Sequence, residues 1–453
     1  MKKNNIIYNK HLLYIIILAF LVRIIFFFAL QPWKGSAVTQ SVLVSDATQY
    51  YRLAIDLLTN KSFQSFDGFR TPVYPIFLAI IFYIFGIKIW LTLLFQIIID
   101  VATGIVIYFT SKEIFQSHRA GLIASFLYSI NILASILATQ LMAETIFVCI
   151  FSLSIFFLIK AIKYGNLSFV IISAALLGLA TLIRPVSQYL PIFIIPFLFF
   201  PYYRLFESIG RCILYLFIFL LILFPWQIRN YINFGYYSIT SIEGYNLMEY
   251  NAAKVKSILE NKSMEASKEE LLGKALDGTE NMFLKSEIQK KVAMNYIKKH
   301  PFEYLFYHLK GSVNMILGTP KNIIFSQYHI PSPMGNGWVL SETMTGRFTR
   351  ILRNAEKEYF LTPILFFIQT VVFFCFFLGI MHMYKNKIKL FGSMTLVIIS
   401  YFIITAGIVG YVRYRVVFAP LYCIVSGYGV SMILQKPKTK QECKEKKYEN
   451  TFF

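Results

Sequence analysis

Two acids stand at the starts of helices in a chain that carries few of them: Asp46, in "SDATQYYRLA", and Glu144, in "TQLMAETIF". A carboxylate in a first helical turn can do one of two things. It can satisfy free N–H groups and the helix dipole, or it can act as a base that takes a proton from a reacting hydroxyl. Both roles fit Asp46. Glu144 alone reads as a first-turn carboxylate, yet two such acids suggest a shared site. Arginines recur at neighbouring junctions: Arg70 in "FRTPVYP", Arg184 in "LIRPVSQ", Arg229 in "FPWQIRN", and Arg413 with Arg415 in "GYVRYRVVFAP". Guanidinium groups bind phosphate bidentately, so these residues read as an anion clamp. The competing role is packing and anchoring beside Tyr and Trp. Tyr50, Tyr51, Arg70 and Tyr74 are candidates to line a substrate. Asp100, in "FQIIIDVATG", and Arg23, in "AFLVRIIFF", lie inside apolar runs. Charges placed there usually pair with one another, so a structural ion pair is expected.

The elements that must position these residues are membrane helices. The chain has 453 residues, of which 57% are hydrophobic and only 15% charged. Its apolar runs of about 20 residues match a bilayer core. The net charge of +21 could attract nucleic acid, but in a polytopic membrane protein Lys and Arg gather in cytoplasmic loops beside anionic headgroups. No nucleic-acid partner is expected. Hydropathy marks about eleven segments: 11–30, 73–86, 89–110, 120–138, 142–160, 167–183, 187–203, 211–226, 361–384, 389–408 and 414–434. The N-terminal end and the tail 435–453 are both Lys-rich, so both belong in the cytoplasm and the number of crossings is even. The shortest segment, "VYPIFLAIIFYIFG", covers about 21 Å as a helix against a core of roughly 30 Å. It is therefore read as a re-entrant or interfacial helix on the outer face, which leaves about ten spans. The first span, from His11, is read as a retained transmembrane helix because no small-residue cleavage site follows it.

This topology divides the chain into an N-terminal membrane module, 1–228, with a first outer loop at 31–88; an extracytoplasmic region, 229–360; C-terminal transmembrane helices, 361–434; and the cytoplasmic tail. In the extracytoplasmic region, "ASKEELLGKALDG" and the stretch from Phe283 to Leu317 have helical periodicity. Pro301 should split the latter into a soluble helix and one whose apolar face lies on the membrane. "TPKNIIFSQYHIPSPMGNGW" reads as irregular loop. The five cysteines form no CxxC and the six histidines no HxxxH, so neither a zinc site nor a disulfide framework is expected. No cofactor is expected; the two acids could hold a divalent ion, but the metal-free reading is preferred.

The order of these motifs resembles the GT-C superfamily of glycosyltransferases, most closely the bacterial branch that holds protein O-mannosyltransferases and lipid A aminoarabinose transferases (glycosyltransferase family 39-like). The resemblance is carried by "SDATQYYRLAIDLL", "FRTPVYPIFLAIIFYIFG", "LMAETIFV", "GLATLIRP", "FPWQIRNYINFG", "GYNLMEYN" and "RYRVVFAP". It implies an all-α GT-C-like bundle and a polyprenyl-phosphate-linked sugar donor used on the non-cytoplasmic face of a bacterial cell membrane. Asp46 then matches the first-loop catalytic acid and Glu144 the second acidic position. Two departures bar a specific substrate: "FRTP" lacks the acid that the aminoarabinose branch has before its proline, and no HPPLGK-type stretch is present.

The implied reaction is a direct, inverting transfer through an oxocarbenium-like transition state. Asp46 would be the base and Glu144 would orient the acceptor, while Arg229, Arg413, Arg415 and Arg184 would stabilise the departing phosphate. The acceptor, whether protein, lipid or glycan, is left open. The alternatives are a lipid-linked saccharide transporter or flippase, or a membrane protein that binds glycolipid without chemistry. The topology is checked by cysteine labelling: a residue introduced beside Gly86 should react with an impermeant reagent from outside. Labelling only from the cytoplasm would make 73–86 a full crossing.

Overall fold

The computed structural model describes residues 2–35, 42–43, 46–199, 205–321, 323–324, 361–386 and 388–434. The tail 435–453, and the expected irregular loop from residue 325 onward, lie outside the described residues. Every described element is helical. In chain order the first ten are α1 (Lys2–Leu30), α2 (Asp46–Asn60), α3 (Val73–Phe85), α4 (Ile89–Phe115), α5 (His118–Ser129), α6 (Ile132–Leu137), α7 (Glu144–Tyr164), α8 (Leu167–Ile183), α9 (Leu190–Phe199) and α10 (Leu205–Phe234). The outer region follows as α11 (Ile242–Leu247), a π turn (Met248–Ala252), α12 (Ala253–Leu259), α13 (Met264–Leu272), α14 (Met282–Lys299) and α15 (Pro301–Leu317). The chain closes with α16 (Leu361–Lys385), α17 (Lys389–Thr405), a 3₁₀ segment (Val412–Phe418) and α18 (Ala419–Ile433).

Six stretches are long and apolar enough to cross a membrane: 8–30, 89–115, 144–164, 205–234, 362–385 and 412–433. Four shorter apolar helices, 73–85, 167–183, 190–199 and 389–405, lie among them. The helix demoted on length, α3, is one of the short ones. It packs against α2 through Tyr50–Tyr74 and Tyr51–Phe82 edge contacts. In the outer region, Pro301 opens α15 directly after α14 ends, as its fixed φ and missing N–H favour. Phe302, Leu305, Phe306, Leu309 and Val313 form an exposed apolar stripe along α15, the spacing of a face that lies on a membrane.

One expectation fails. Residues 120–138 are not one span but two short helices, α5 and α6, broken at Ile130 and Asn131. Asn131 stops the helix because its side-chain oxygen accepts from the Ala134 N–H and caps a new start. Its amide also donates to the Tyr422 hydroxyl at 2.6 Å. The break leaves carbonyls that a membrane interior cannot hydrate. Arg23 supplies the missing donors: its guanidinium donates to the carbonyls of Tyr128 and Ser129. Its charge is matched by Asp100, whose Oδ2 accepts from Arg23 Nε at 2.7 Å while Oδ1 accepts from the Tyr128 hydroxyl at 2.6 Å. The pair expected from the sequence is thus formed, fully buried, and it carries the helix break.

Close approaches between backbones fix the other end. A side chain at Gly311 would collide with the Ile408 carbonyl, and one at Gly410 with the Gly311 backbone. Gly410 also has φ of +54°, a region that glycine enters without steric cost. These two glycines let α15 lie across the chain just before Arg413.

Asp100→Leu should lower stability by about 3–5 kcal/mol, because it strands the Arg23 charge. The Arg23→Leu/Asp100→Leu double variant should lose less. Thermal unfolding in detergent measures both.

Candidate functional site

The break between α5 and α6 has a second consequence: it delivers Glu144 to the outer end of the bundle from a buried loop. Gln96 on α4 holds that loop, donating to the carbonyls of Gln140 at 2.6 Å and Ala138 at 3.2 Å. Tyr74 in turn donates to Gln96 Oε1 at 2.7 Å. Glu144 opens α7 with a side chain only 3% exposed.

Four further chain segments converge there. Asp46 is the first residue of α2. Arg70 lies in the turn before α3, where Thr71 Oγ1 donates to the Ile183 carbonyl at 3.2 Å and ties the turn to the end of α8. Arg184 is the C-cap of α8, and the Tyr401 hydroxyl donates to the Val186 carbonyl at 2.6 Å and braces that turn. Arg413 comes from the 3₁₀ segment.

These side chains form one network. Asp46 Oδ1 accepts from Arg70 at 2.6 Å and Oδ2 from Arg413 at 3.0 Å. Arg413 Nε lies 3.1 Å from Glu144 Oε1, which also pairs with Arg184. Arg70 Nε donates to Gln49 Oε1 at 2.7 Å, and its guanidinium sits over the Tyr50 and Phe69 rings, each at 5.1 Å. Three guanidiniums face two carboxylates (3 − 2), so the cluster carries one positive charge in excess. The site is therefore suited to an anion. Burial alone would raise the Asp46 carboxyl, but Arg70 and Arg413 outweigh it and hold it below the usual carboxylate range. Burial also pushes the Tyr50 hydroxyl up, which keeps it protonated.

Of the residues singled out in the sequence, Asp46, Glu144, Arg70, Arg184 and Arg413 come together. Arg229 and Arg415 do not. The Arg229 guanidinium donates to the carbonyls of Phe63 and Phe66 and lies over Trp226 and Phe234 at 5.0 and 5.1 Å. It closes the first outer loop onto α10. Arg415 is buried and donates to the carbonyls of Met315, Ile316 and Gly318 at 3.2, 2.7 and 2.8 Å, capping the end of α15. A 3₁₀ turn has about three residues, so residues two apart point in different directions, and Arg413 and Arg415 cannot share a target. Tyr51 and Tyr74 pack α2 against α3 through the Tyr51–Phe82 and Tyr50–Tyr74 contacts. Gln96 and Gln49 are the functional contacts missed in the sequence; a glutamine within the apolar run of α4 was the one available signal. Among the described residues no group of three His, Cys, Asp or Glu side chains could hold a metal ion.

Residues 70–228 match the family model described as dolichyl-phosphate-mannose-protein mannosyltransferase; that region holds Arg70, Glu144 and Arg184. No curated protein matches the chain. The crystal structure of the Archaeoglobus fulgidus oligosaccharyltransferase in the apo form superposes with a TM-score of 0.54 at 15% identity, covering 98% of this chain and 52% of that one. The archaeal oligosaccharyltransferase AglB from Archaeoglobus fulgidus, in complex with an inhibitory peptide and a dolichol-phosphate, gives 0.52 at 15%, covering 97% and 52%. ArnT from Cupriavidus metallidurans bound to undecaprenyl phosphate aligns over 92% of this chain and 77% of that one at 12% identity, with a TM-score of 0.41. The chain thus spans about half the length of the oligosaccharyltransferases.

The lowered Asp46 pKa makes a stability prediction. Its ion pairs contribute fully above the unfolded value near 3.8, and the contribution is lost as pH falls below that through the folded value. Thermal midpoints in detergent should therefore hold above about pH 4 and fall on further acidification, and Asp46→Asn should flatten that dependence.

Proposed function

We propose that this protein, whose all-helical membrane fold is of the GT-C type, is a glycosyltransferase that moves a sugar from a polyprenyl-phosphate donor to an acceptor at the outer face of a bacterial cell membrane. The observation that carries the reading is the Asp46–Arg413–Glu144–Arg184 network with Arg70 on its flank. A sugar linked to a lipid monophosphate is a phosphodiester with one negative charge, which balances the single positive excess. When the glycosidic bond breaks, the leaving phosphate gains a second charge. The arginines therefore attract the products' phosphate more strongly than the donor's, which is the condition for lowering the barrier.

The same network sets the order of events. In the free protein both Asp46 oxygens are occupied by guanidiniums, so its carboxylate is a weak base. A donor phosphate competes for Arg413 and Arg70. As they turn to it, Asp46 loses cationic partners and its proton affinity rises. Asp46 then accepts the proton of the acceptor hydroxyl while that oxygen bonds to the anomeric carbon. The C–O bond to phosphate breaks on the opposite side, and its electron pair leaves on polyprenyl phosphate. The anomeric configuration is inverted. Glu144, held by Arg184 and Arg413, keeps Arg413 aimed at the phosphate and can align the acceptor.

The test uses membranes given a labelled polyprenyl-phosphate sugar. Asp46→Asn should cut transfer by about 10²–10⁴-fold while donor binding persists. Arg413→Ala should weaken donor use more than acceptor use. Near-normal transfer by Asp46→Asn removes it as the base.

A further inference from the structure

A second feature meets the same site from outside. A series of aromatic rings runs from one site arginine to another. Phe69, under Arg70, meets Tyr245 at 5.4 Å. Tyr245 meets Tyr250 at 6.0 Å, Tyr250 meets Tyr411 at 6.2 Å, and Tyr411 meets Tyr414 at 5.9 Å. The Arg413 guanidinium lies 5.6 Å from the Tyr414 ring. Arg70 and Arg413 both hold Asp46, so this series of contacts begins and ends at the same carboxylate. Three separate segments supply it: the first outer loop, the turn around α11, and the chain entering the 3₁₀ segment.

The arc differs from a packed core. All four ring pairs meet edge to face, with interplanar angles of 80–86°. Such a pair covers one face of one ring only. Tyr411 is 50% exposed, and Phe69, Tyr245, Tyr250 and Tyr414 are each partly exposed. Four of the five rings carry a hydroxyl. Burial and the neighbouring tyrosines push the Tyr250 hydroxyl up, so it is neutral and able to donate at physiological pH. Lys268, 5.6 Å from the Tyr245 ring, is paired with Glu249 at 2.7 Å.

We propose that the arc of Phe69, Tyr245, Tyr250, Tyr411 and Tyr414 is the acceptor subsite and that its ligand is a saccharide. The proposal rests on the transferase reading given above. A pyranose ring has an apolar C–H face and a rim of hydroxyls; a tyrosine has an apolar ring face and a hydroxyl at its edge. The two are complementary in both respects. An extended peptide is commonly held by main-chain hydrogen bonds to the edge of a sheet, and every described element is a helix. A saccharide seated on the arc has its hydroxyls beside the two arginines that hold Asp46, so one hydroxyl can reach the base.

The experiment uses the full chain in lipid nanodiscs and saturation-transfer NMR. The probes are methyl-capped disaccharides of glucose, galactose, mannose and N-acetylglucosamine, with a Ser/Thr-containing peptide in parallel. Saturation should reach the sugar C–H protons of at least one disaccharide. Apparent affinity should fall about five- to tenfold in Tyr411→Ala and less in Tyr411→Phe. The thermal shift on adding undecaprenyl phosphate, measured on the same samples, should be unchanged in Tyr411→Ala and reports that the variant is folded. No sugar contact in the unmodified chain, equal contact in Tyr411→Ala, or contact with the peptide alone overturns the subsite. Sugar contact that depends on Tyr411, without any undecaprenyl phosphate shift, upholds the subsite and counts against the donor reading.

Discussion

Arg413 bridges the two acids, and the outer end of the molecule is organised around that bridge. It meets Asp46 at 3.0 Å across 367 residues of chain and Glu144 at 3.1 Å. Closing so long a loop costs conformational entropy that one ion pair would not offset. The apolar helices do most of that work, and the charges select which of their arrangements is compatible with a buried Glu144 and a half-buried Asp46. Removing one partner would strand the others, since a buried charge without its counter-ion is strongly destabilising. Such a cluster is costly to keep for stability alone. A site that must hold an anion is the more economical explanation of three arginines around two acids.

A comparable logic operates inside the bundle. The Arg23–Asp100–Tyr128 group lets a helix stop in the middle of an apolar region without leaving carbonyls bare. The break then allows the chain to turn back to Glu144 through a loop held by Gln96. The interior pair and the outer cluster are therefore linked: one permits the backbone path that the other requires. Gly311 and Gly410 serve the Arg413 side in the same way, by letting two backbones approach where any side chain would collide.

The proposed reaction would give the cluster two states. In the free protein Arg70 and Arg413 hold Asp46 and suppress its basicity. In the proposed mechanism a donor phosphate would compete for the same arginines, so binding energy from a lipid-linked donor would become a stronger base. The proposed tyrosine subsite contacts the same two arginines through Phe69 and Tyr414.

Much of this was legible in the sequence. Apolar run lengths marked the membrane helices, because the bilayer thickness fixes how many residues cross it. Charges inside those runs identified Arg23 and Asp100 as partners, since neither is tolerable alone. The short segment at 73–86 could be set apart by length. Asp46 could be named as a candidate from its place at the start of an amphipathic helix in the first outer loop, and Glu144, Arg70, Arg184 and Arg413 because each lies beside an apolar run. What the sequence could not supply was direction around the bundle axis. Arg413 and Arg415 have the same side chain, two positions apart, yet one reaches the acids and the other caps α15. Arg229 has the same kind of setting as Arg184 but closes a loop. The break at Asn131 was also hidden, because its residues remain apolar enough to read as one span; Asn131 caps the new helix start and Arg23, from another helix, satisfies the exposed carbonyls. Hydropathy and charge determine how deep a residue lies, since they report its transfer from water to lipid. Which residues meet at that depth is decided by helix packing and backbone contacts between segments hundreds of residues apart, and only the tertiary structure contains them.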